Sequence, residues 1–311
     1  MKKDNEQIKK TVELLKIVYN FKGPLHFTDF SNLESIFNEG SIYSRSFCNT
    51  NSVVFHDVAD SEVIQHTAIN VQNCTRLYYK EKTMTLYRNE GIKVDGSNPH
   101  VPIPVYLLFD EEILYLDYTI FTDGNAGSEY TKYGIDYNFF NNIMDWSTIF
   151  HRGPIYMVDG PDKWEFKRKR QAELLSAQPI SLEYLRKIIF RCNTDYKRAC
   201  NIFGDSDLYI VDRNMFNNER NYIIDYDVDI VNSGNIRSLL LNFNTNLQVI
   251  NHIGHRFELY DMNNNQLQSI RINYPETPCT EFKLRLDNIP NSPTQLKFWF
   301  YNILSIEEKI K

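Results

Sequence analysis

The sequence has few cysteines, and none of them stands in an arrangement that is typical of a metal site or a redox pair. Cysteine occurs five times in 311 residues, an odd number, and no two cysteines form a Cys-x-x-Cys pair. This pattern argues against a disulfide-stapled secreted domain and against a zinc site. We therefore expect no bound metal and a reducing compartment.

Long hydrophobic runs are also lacking. No stretch approaches the roughly 20 apolar residues that a membrane-spanning helix needs. The first twenty residues, MKKDNEQIKKTVELLKIVYN, carry charges at both ends of their short apolar runs and lack the continuous apolar core of a signal peptide. We expect a soluble, cytoplasmic protein with no membrane partner.

Positive charge is not in excess. The formal net charge is -6, so the molecule as a whole does not attract nucleic acid, and any such contact requires a local basic patch. Residues 167–170 read KRKR and run directly into QAELLS. On pattern alone, the run is typical of a solvated helix face in which Glu173 balances Arg170 at short range.

The composition is that of a folded protein with a large core. Hydrophobic residues make up 42% of the chain, with 20 tyrosines and 20 phenylalanines, and the length allows one large domain or two smaller ones. The texture changes near Gly204. After this point the chain is rich in asparagine, and strand-like runs alternate with turns, which favours an antiparallel β-sandwich-like unit. We predict one domain at residues 1–204 and a β-rich accessory domain at 205–311.

Local patterns predict several elements of the first domain. Residues 6–20 are amphipathic and helical, 25–28 form a short strand, and Ser31 with Glu34 suggests a capping box for a helix that stops at Gly40. Residues 105–109 and 113–121 are strand-like, 122–128 form a loop, and 136–150 are helical.

Four stretches together resemble the DarT family of nucleic-acid ADP-ribosyltransferases. They are LHFTDFSNLESIFNEGSIYSR at 25–45, YYKEKTMTLY at 78–87, the TDGNA loop at 122–126 with Asp145-Trp146 downstream, and the basic run that ends in QAELL. The resemblance covers residues from about 24 to 192 and rests on the order and spacing of the stretches. It implies an α+β fold, with an ADP-ribosyltransferase-like split β-sheet core and flanking helices, in front of the C-terminal β-sandwich-like unit.

The resemblance also implies an activity and a set of site residues. The activity is transfer of ADP-ribose from NAD, used as co-substrate, to a base in single-stranded DNA or RNA, because pairing hides the reactive edge of a base. The transition state is oxocarbenium-like, and a fixed carboxylate stabilises its positive charge. The implied catalytic residue is Glu173. The implied NAD-binding residues are His26, Thr28, Asn32 and Tyr87, and the implied nucleic-acid-binding residues are Lys167, Arg168, Lys169, Asp123 and Asn125.

The sequence departs from the family pattern at one point that matters for NAD. The family carries an arginine before its YF-x-PR segment, whereas residues 57–66 here contain no arginine and the PR itself is replaced by Lys80-Glu81-Lys82. The candidates for the missing guanidinium are Arg45 and Arg76, with His66 as a weaker donor.

Three functional hypotheses follow. The first is a toxin that modifies single-stranded nucleic acid, with an antitoxin or an ADP-ribosyl hydrolase as its partner and a place in a toxin-antitoxin or phage-defence system. The second is a degenerate module that binds NAD or nucleic acid without turnover, and the third is a protein ADP-ribosyltransferase. Structural alternatives also stand for single residues: a core histidine at His26, a helix-start residue at Asn32, a core aromatic at Tyr87, and turn chemistry at Asp123 and Asn125.

Overall fold

The computed structural model describes residues 5–57, 69–92, 101–233, 236–249, 254–272, 278–290 and 293–310. The chain divides into two compact units, one of Met1–Arg88 with Tyr106–Ile188 and one of Asn89–Val105 with Ile189–Lys311. The division of function at residue 204 stays a prediction. All five cysteines are free.

Eight α-helices lie within these described ranges, and none of them is long and apolar enough to cross a membrane. They are α1 (Asn5–Tyr19), α2 (Leu33–Glu39), α3 (Arg45–Asn51), α4 (Ile69–Gln72), α5 (Met84–Asn89), α6 (Trp146–Ile149), α7 (Pro161–Lys169) and α8 (Asn193–Phe203). Short 3-10 turns span Phe30–Asn32, Glu111–Tyr115, Leu182–Tyr184 and Arg213–Met215, and a π-helical turn spans Phe139–Ile143.

Within the part of the chain that the structure describes, ten strands precede the C-terminal sheets. They are β1 (Leu25–Asp29), β2 (Ser41–Ile42), β3 (Thr75–Tyr78), β4 (Pro104–Phe109), β5 (Thr119–Thr122), β6 (Tyr133–Gly134), β7 (Glu173–Ser176), β8 (Ile180–Ser181), β9 (Leu185–Phe190) and β10 (Tyr209–Val211). Eight of them form one sheet in the order β10-β9-β4-β1-β3-β7-β5-β6, while β2 pairs with β8. Strand β7 therefore lies between β3 and β5, towards the β6 edge of the sheet.

The pattern of hydrophobic residues explains helix α1 and strand β4. In α1, Ile8, Val12 and Leu15 recur at helical spacing and are buried. Every residue of β4 is buried, as expected for a strand that is covered on both faces. The predicted helix at 6–20 and the predicted strands at 25–28 and 105–109 are confirmed.

Three local predictions need correction. The predicted strand at 113–121 is a 3-10 turn followed by the short β5, because the Asp110 side chain accepts the Glu112 N–H and starts the turn. The capping box at Ser31 is not formed: Asp29 accepts the Ser31 N–H and caps a 3-10 turn, and α2 follows this turn with no side-chain cap at Asn32. The predicted helix at 136–150 is instead a π-helical turn and the short α6, whose N-terminus is capped by Asp145.

The C-terminal part of the second unit consists of antiparallel strands. These are β11 (Ile223–Ser233), β12 (Ile236–Val249), β13 (Arg256–Tyr260), β14 (Gln266–Arg271), β15 (Cys279–Asp287), β16 (Gln295–Phe300) and β17 (Ile303–Lys309). They form two sheets, β11-β12-β15 and β14-β13-β16-β17.

Alternation along β12 buries Leu239, Leu241 and Phe243 on one face. The Phe243 ring stacks on Phe282 at 4.6 Å and contacts Phe298 of the other sheet at 5.2 Å, so the two sheets share one hydrophobic core. The predicted α+β class with a C-terminal antiparallel unit is confirmed.

Candidate active site

Glu173 is the first residue of β7 and is completely buried. Its carboxylate accepts three hydrogen bonds: from Arg76 Nε at 2.5 Å, from Arg76 Nη2 at 2.7 Å, and from the Ala126 main-chain N–H at 3.0 Å. Its own main-chain N–H donates to the Thr122 hydroxyl at 2.8 Å. The helix α7 ends before Glu173, so this carboxylate belongs to a strand and not to the solvated helix face that its charge pattern suggests.

Arg76 lies on β3, where its neighbour Tyr78 is the direct partner of Glu173 across the strand pair. The Arg76 side chain is 26% exposed, and two of its nitrogens bind Glu173. Burial lowers the pKa of Arg76, but the charge and hydrogen bonds of Glu173 outweigh burial and raise this pKa above its ordinary value. Arg76 is therefore a permanent cation in a fixed, two-point geometry.

His26 on β1 is oriented by the strand next to it. Its Nδ1 lies 3.0 Å from the Arg76 carbonyl oxygen. Because a carbonyl only accepts, Nδ1 carries the hydrogen, and Nε2 remains an acceptor in the neutral ring. Burial lowers the pKa of His26 below its ordinary value, although the hydrogen bond to the Arg76 carbonyl acts in the opposite direction. The lowered pKa favours the neutral ring.

Asn32 holds the chain around His56. Its Nδ2 donates to the Thr28 hydroxyl at 2.8 Å and to the His56 carbonyl at 2.9 Å, and its Oδ1 accepts the His56 N–H at 2.6 Å. Arg45, nearby on α3, forms a two-point ion pair with Asp57 at 2.7 and 2.8 Å. These contacts fix the segment that follows α3.

The described residues enclose a cavity of about 210 Å³ beside Arg76 and His26. Six of the predicted site residues line it, namely His26, Thr28, Asn32, Arg45, Arg76 and Asn125. Tyr87, on α5, is 47% exposed and is not among the lining residues, and His66 lies outside the described residues. One cavity thus brings together all but one of the cofactor-binding residues predicted from the sequence.

The loop between β5 and β6 presents the Ala126 N–H to Glu173, and Arg168 braces this loop. The Arg168 guanidinium donates to Asp123 at 2.8 and 3.2 Å and to Thr131 at 3.1 Å, and the Arg168 carbonyl accepts the Asn125 N–H at 3.0 Å. Arg168 is 5% exposed.

Gly124 permits the close approach of Arg168 to the loop. A Cβ atom at Gly124 would lie 2.2 Å from Arg168 Nη1 and 3.0 Å from the Arg168 carbonyl oxygen. Any larger residue at this position therefore pushes the loop away from α7.

The predicted basic run is divided by the structure. Arg168 faces inward and also pairs with Glu165 at 2.7 Å, whereas Lys169 lies 3.4 Å from Asp145 and Lys167 is partly exposed at the last turn of α7. Two exposed aromatic side chains, Tyr130 and Trp164, meet edge to face beside this helix, with ring centroids 5.1 Å apart.

Sequence reasoning missed the groups that act through the main chain or through a short hydroxyl. The Ala126 N–H and the Thr122 hydroxyl hold Glu173, yet an alanine and a threonine at the start of a loop have no distinguishing pattern. Arg76 was one of two candidate guanidiniums, and only the β3–β7 pairing places it beside Glu173.

A comparison with protein-family models identifies the same region. The model described as "ssDNA thymidine ADP-ribosyltransferase, DarT" matches residues 25–217. The chain belongs to the DarT family. The match begins at β1 and continues past β10, so it includes every strand of the eight-stranded sheet.

Solved DarT structures are similar to this chain in fold. Thermus sp. 2.9 DarT in complex with ADP-ribosylated ssDNA has a TM-score of 0.52 at 13% identity, covering 64% of this chain and 97% of that chain. Thermosipho africanus DarTG in complex with ADP-ribose has a TM-score of 0.51 at 20% identity, covering 63% of this chain and 51% of that chain. No curated protein matched the sequence. At these identities the DarT structures establish the fold alone.

Proposed function

We propose that this protein transfers ADP-ribose from NAD to a base, thymine in the first instance, of single-stranded DNA. The observation that carries the proposal is the buried Glu173 carboxylate, held by the Ala126 N–H and by Arg76, which lines the same cavity as His26 and Thr28. Membership of a family described as ssDNA thymidine ADP-ribosyltransferase supports the acceptor.

The reaction needs a fixed negative charge more than it needs an acid. The bond between the nicotinamide nitrogen and the anomeric carbon of the ribose breaks, and its electron pair leaves on neutral nicotinamide. A bond then forms between that carbon and a nucleophilic atom of the base, which gives up its proton. Glu173 stabilises the positive charge that develops at the carbon and is the acceptor for that proton. A carboxylate has about four lone-pair positions, so three donors leave it able to accept again.

Arg76 supplies the guanidinium that the sequence motif lacks. It lines the cavity and is anchored by Glu173, so it offers its remaining N–H groups to an oxyanion or a ribose hydroxyl without a large loss of side-chain freedom. This favours the enzyme over a degenerate binding module. Arg45 is already paired with Asp57, and we propose that it shapes the wall of the cavity.

Incubation of the purified protein with NAD and defined acceptors tests the proposal. Released nicotinamide and the mass of one added ADP-ribosyl group are measured on single-stranded DNA with and without thymine, on the matching duplex, on RNA and on protein. Transfer only to the thymine-containing single strand is the expected result. Modification of RNA or of protein in preference would assign another acceptor, and binding of NAD without nicotinamide release on any acceptor would favour the degenerate module.

We propose further that the producing cell carries an antidote, either an antitoxin or an ADP-ribosyl hydrolase, because an active enzyme of this kind damages its host's DNA. Co-expression with candidate neighbouring proteins and measurement of cell growth tests this partner. Recovery of growth without loss of the toxin from the cell is the expected sign of an antidote.

A further inference from the structure

We propose that Lys80 and Arg170 form a subsite for a backbone phosphate of the acceptor strand, an inference that rests on the proposed function. The two residues leave the same end of the β3–β7 pair. Lys80 follows Tyr78, the strand partner of Glu173, by two residues, and Arg170 precedes Glu173 by three. Both are therefore carried on the backbone that positions the carboxylate.

Lys80 is a buried basic side chain that forms no ion pair with a carboxylate among the described residues. Lys80 is 5% exposed, and its Nζ donates to the His151 carbonyl oxygen at 2.8 Å. Burial and the nearby charge of Arg170 lower the pKa of Lys80 to about 7, against the opposing effect of Glu81. Glu81 is itself paired with Arg152, so neither Lys80 nor Arg170 has a carboxylate of its own within the described ranges.

The charges around Lys80 remain positive in sum. Arg170, at the end of α7, has no ion pair or side-chain hydrogen bond in the described part of the chain, while Arg152 pairs with Glu81 at 2.6 Å. The pKa of His151 is also lowered, by burial and by Arg170 and Lys80, which favours its neutral form. Lys80, Arg170 and Arg152 thus share one nearby carboxylate, Glu81, which is an arrangement suited to an oxyanion.

The position of the cluster favours the acceptor strand over the diphosphate of NAD. Arg76, Tyr78 and Thr85 line the cavity, but neither Lys80 nor Arg170 is among its lining residues. The cluster lies instead where the segment after β3 meets the loop at His151, whose ring contacts Phe166 of α7 at 5.1 Å. A base delivered to Glu173 brings its own phosphate to this side.

The test measures binding in a Glu173→Gln background, so that it does not depend on turnover. Fluorescence anisotropy of a labelled thymine-containing oligonucleotide is recorded over a range of salt concentrations for Lys80→Met and Arg170→Gln. Lys82→Gln is the matched control, since Lys82 is an exposed lysine of the same segment. We expect each test variant to raise the Kd about tenfold and to flatten the salt slope by about 0.7, with Lys82→Gln unchanged. NAD affinity should be unaffected.

The pH dependence provides an independent readout. Because Lys80 is charged below its pKa and neutral above it, oligonucleotide affinity should fall as the pH rises through about 7 in the parent and not in Lys80→Met. Weakened NAD binding with unchanged DNA binding would assign the subsite to the cofactor diphosphate and overturn the proposal. Wild-type salt slopes of oligonucleotide binding in both Lys80→Met and Arg170→Gln would also overturn the proposal. If Lys80→Met does not fold, the partly exposed Arg170→Gln alone decides. These binding measurements do not depend on turnover, so a failure of the proposed transfer reaction can be told apart from a failure of the phosphate subsite.

Discussion

At the scale of single residues, burial decides what Glu173 does for stability as well as for chemistry. Its carboxylate is the counter-charge of Arg76 and is out of contact with solvent. Removal of one member of a buried ion pair leaves the other charge uncompensated, which costs about 3–5 kcal/mol. Catalysis and folding are therefore coupled at this position, and a substitution has to separate them.

Glu173→Gln should separate them in part, because it retains one acceptor oxygen although Arg76 loses its counter-charge. The amide keeps the size of the side chain and one acceptor oxygen but loses the negative charge, so turnover should fall by about 10²–10³-fold or more. Glu173→Ala loses both acceptor oxygens as well as the charge, so it should lower the free energy of unfolding further than Glu173→Gln does, measured by urea denaturation. Glu183→Gln, at an exposed acid, is the control and should change neither. Near-normal nicotinamide release by a folded Glu173→Gln protein would remove this residue from the catalytic role.

Arg76→Lys tests whether the fork geometry matters or only the charge. A lysine cannot make the paired Nε and Nη2 bonds to Glu173, so we expect a lower kcat and a higher KM for NAD. Arg88→Lys, at an exposed arginine of α5, is the control. Steady-state kinetics with NAD as the varied substrate provide the measurement. If kcat and the KM for NAD are unchanged in Arg76→Lys, Arg76 does not replace the guanidinium of the family motif.

At the scale of elements, the basic run of α7 serves two purposes. Arg168 points into the protein and fastens the loop between β5 and β6, whereas Lys167 is partly exposed. A helical run of cations therefore does not act as one surface. The contacts with nucleic acid predicted at Lys167, Arg168, Lys169, Asp123 and Asn125 remain predictions. The geometry suggests which of these residues act on DNA binding and which act on the loop that holds Glu173.

Arg168→Gln should lower kcat without changing the salt slope of DNA binding, because it loosens the loop that holds the Ala126 N–H on Glu173. Asp123→Asn should have the same effect, and the double variant should be no worse than either single variant, since both break one contact. Lys167→Gln should instead flatten the slope by about 0.7 with kcat intact. A flattened slope in Arg168→Gln would place this guanidinium on the phosphates.

The sequence predicted most elements whose pattern is local. Helix α1, strands β1 and β4 and the C-terminal strands all follow from periodicity. The strand expected at 113–121 was wrong because Asp110 starts a turn inside an apolar run. Glu173 was singled out by family resemblance, and its catalytic role stays a prediction, while its burial and its pairing with Arg76 depend on two residues 97 positions apart. Such long-range pairing leaves no local signature.

At the scale of the whole molecule, the division of labour between the two ends of the chain can be tested by truncation. Strand β10 lies at the edge of the large sheet, and the Asp212 N–H donates to the Phe190 carbonyl of β9 at 3.0 Å. The family match ends at residue 217 and so includes β10. A chain ending at residue 204 lacks this strand and leaves the β9 edge unpaired.

We expect the protein that ends at residue 217 to unfold at a higher temperature than the one that ends at residue 204. Thermal denaturation followed by circular dichroism provides the measurement, with NAD binding as a second readout. Equal melting temperatures would show that β10 contributes nothing to the sheet. Full transfer activity in either shortened protein would support a separable accessory role for the C-terminal strands.

The close approach at Gly124 also has a consequence for genetics. If the active protein is harmful to its host, cells that survive its expression carry mutations that inactivate it, and these should fall on Gly124 as well as on Glu173. Every substitution at Gly124 puts a carbon atom against Arg168, whereas a Cβ at Gly160 meets nothing within 4 Å. Survivors sequenced in large numbers should therefore be enriched in changes at Gly124 over changes at Gly160, and the sites of escape would map the brace that keeps the enzyme active.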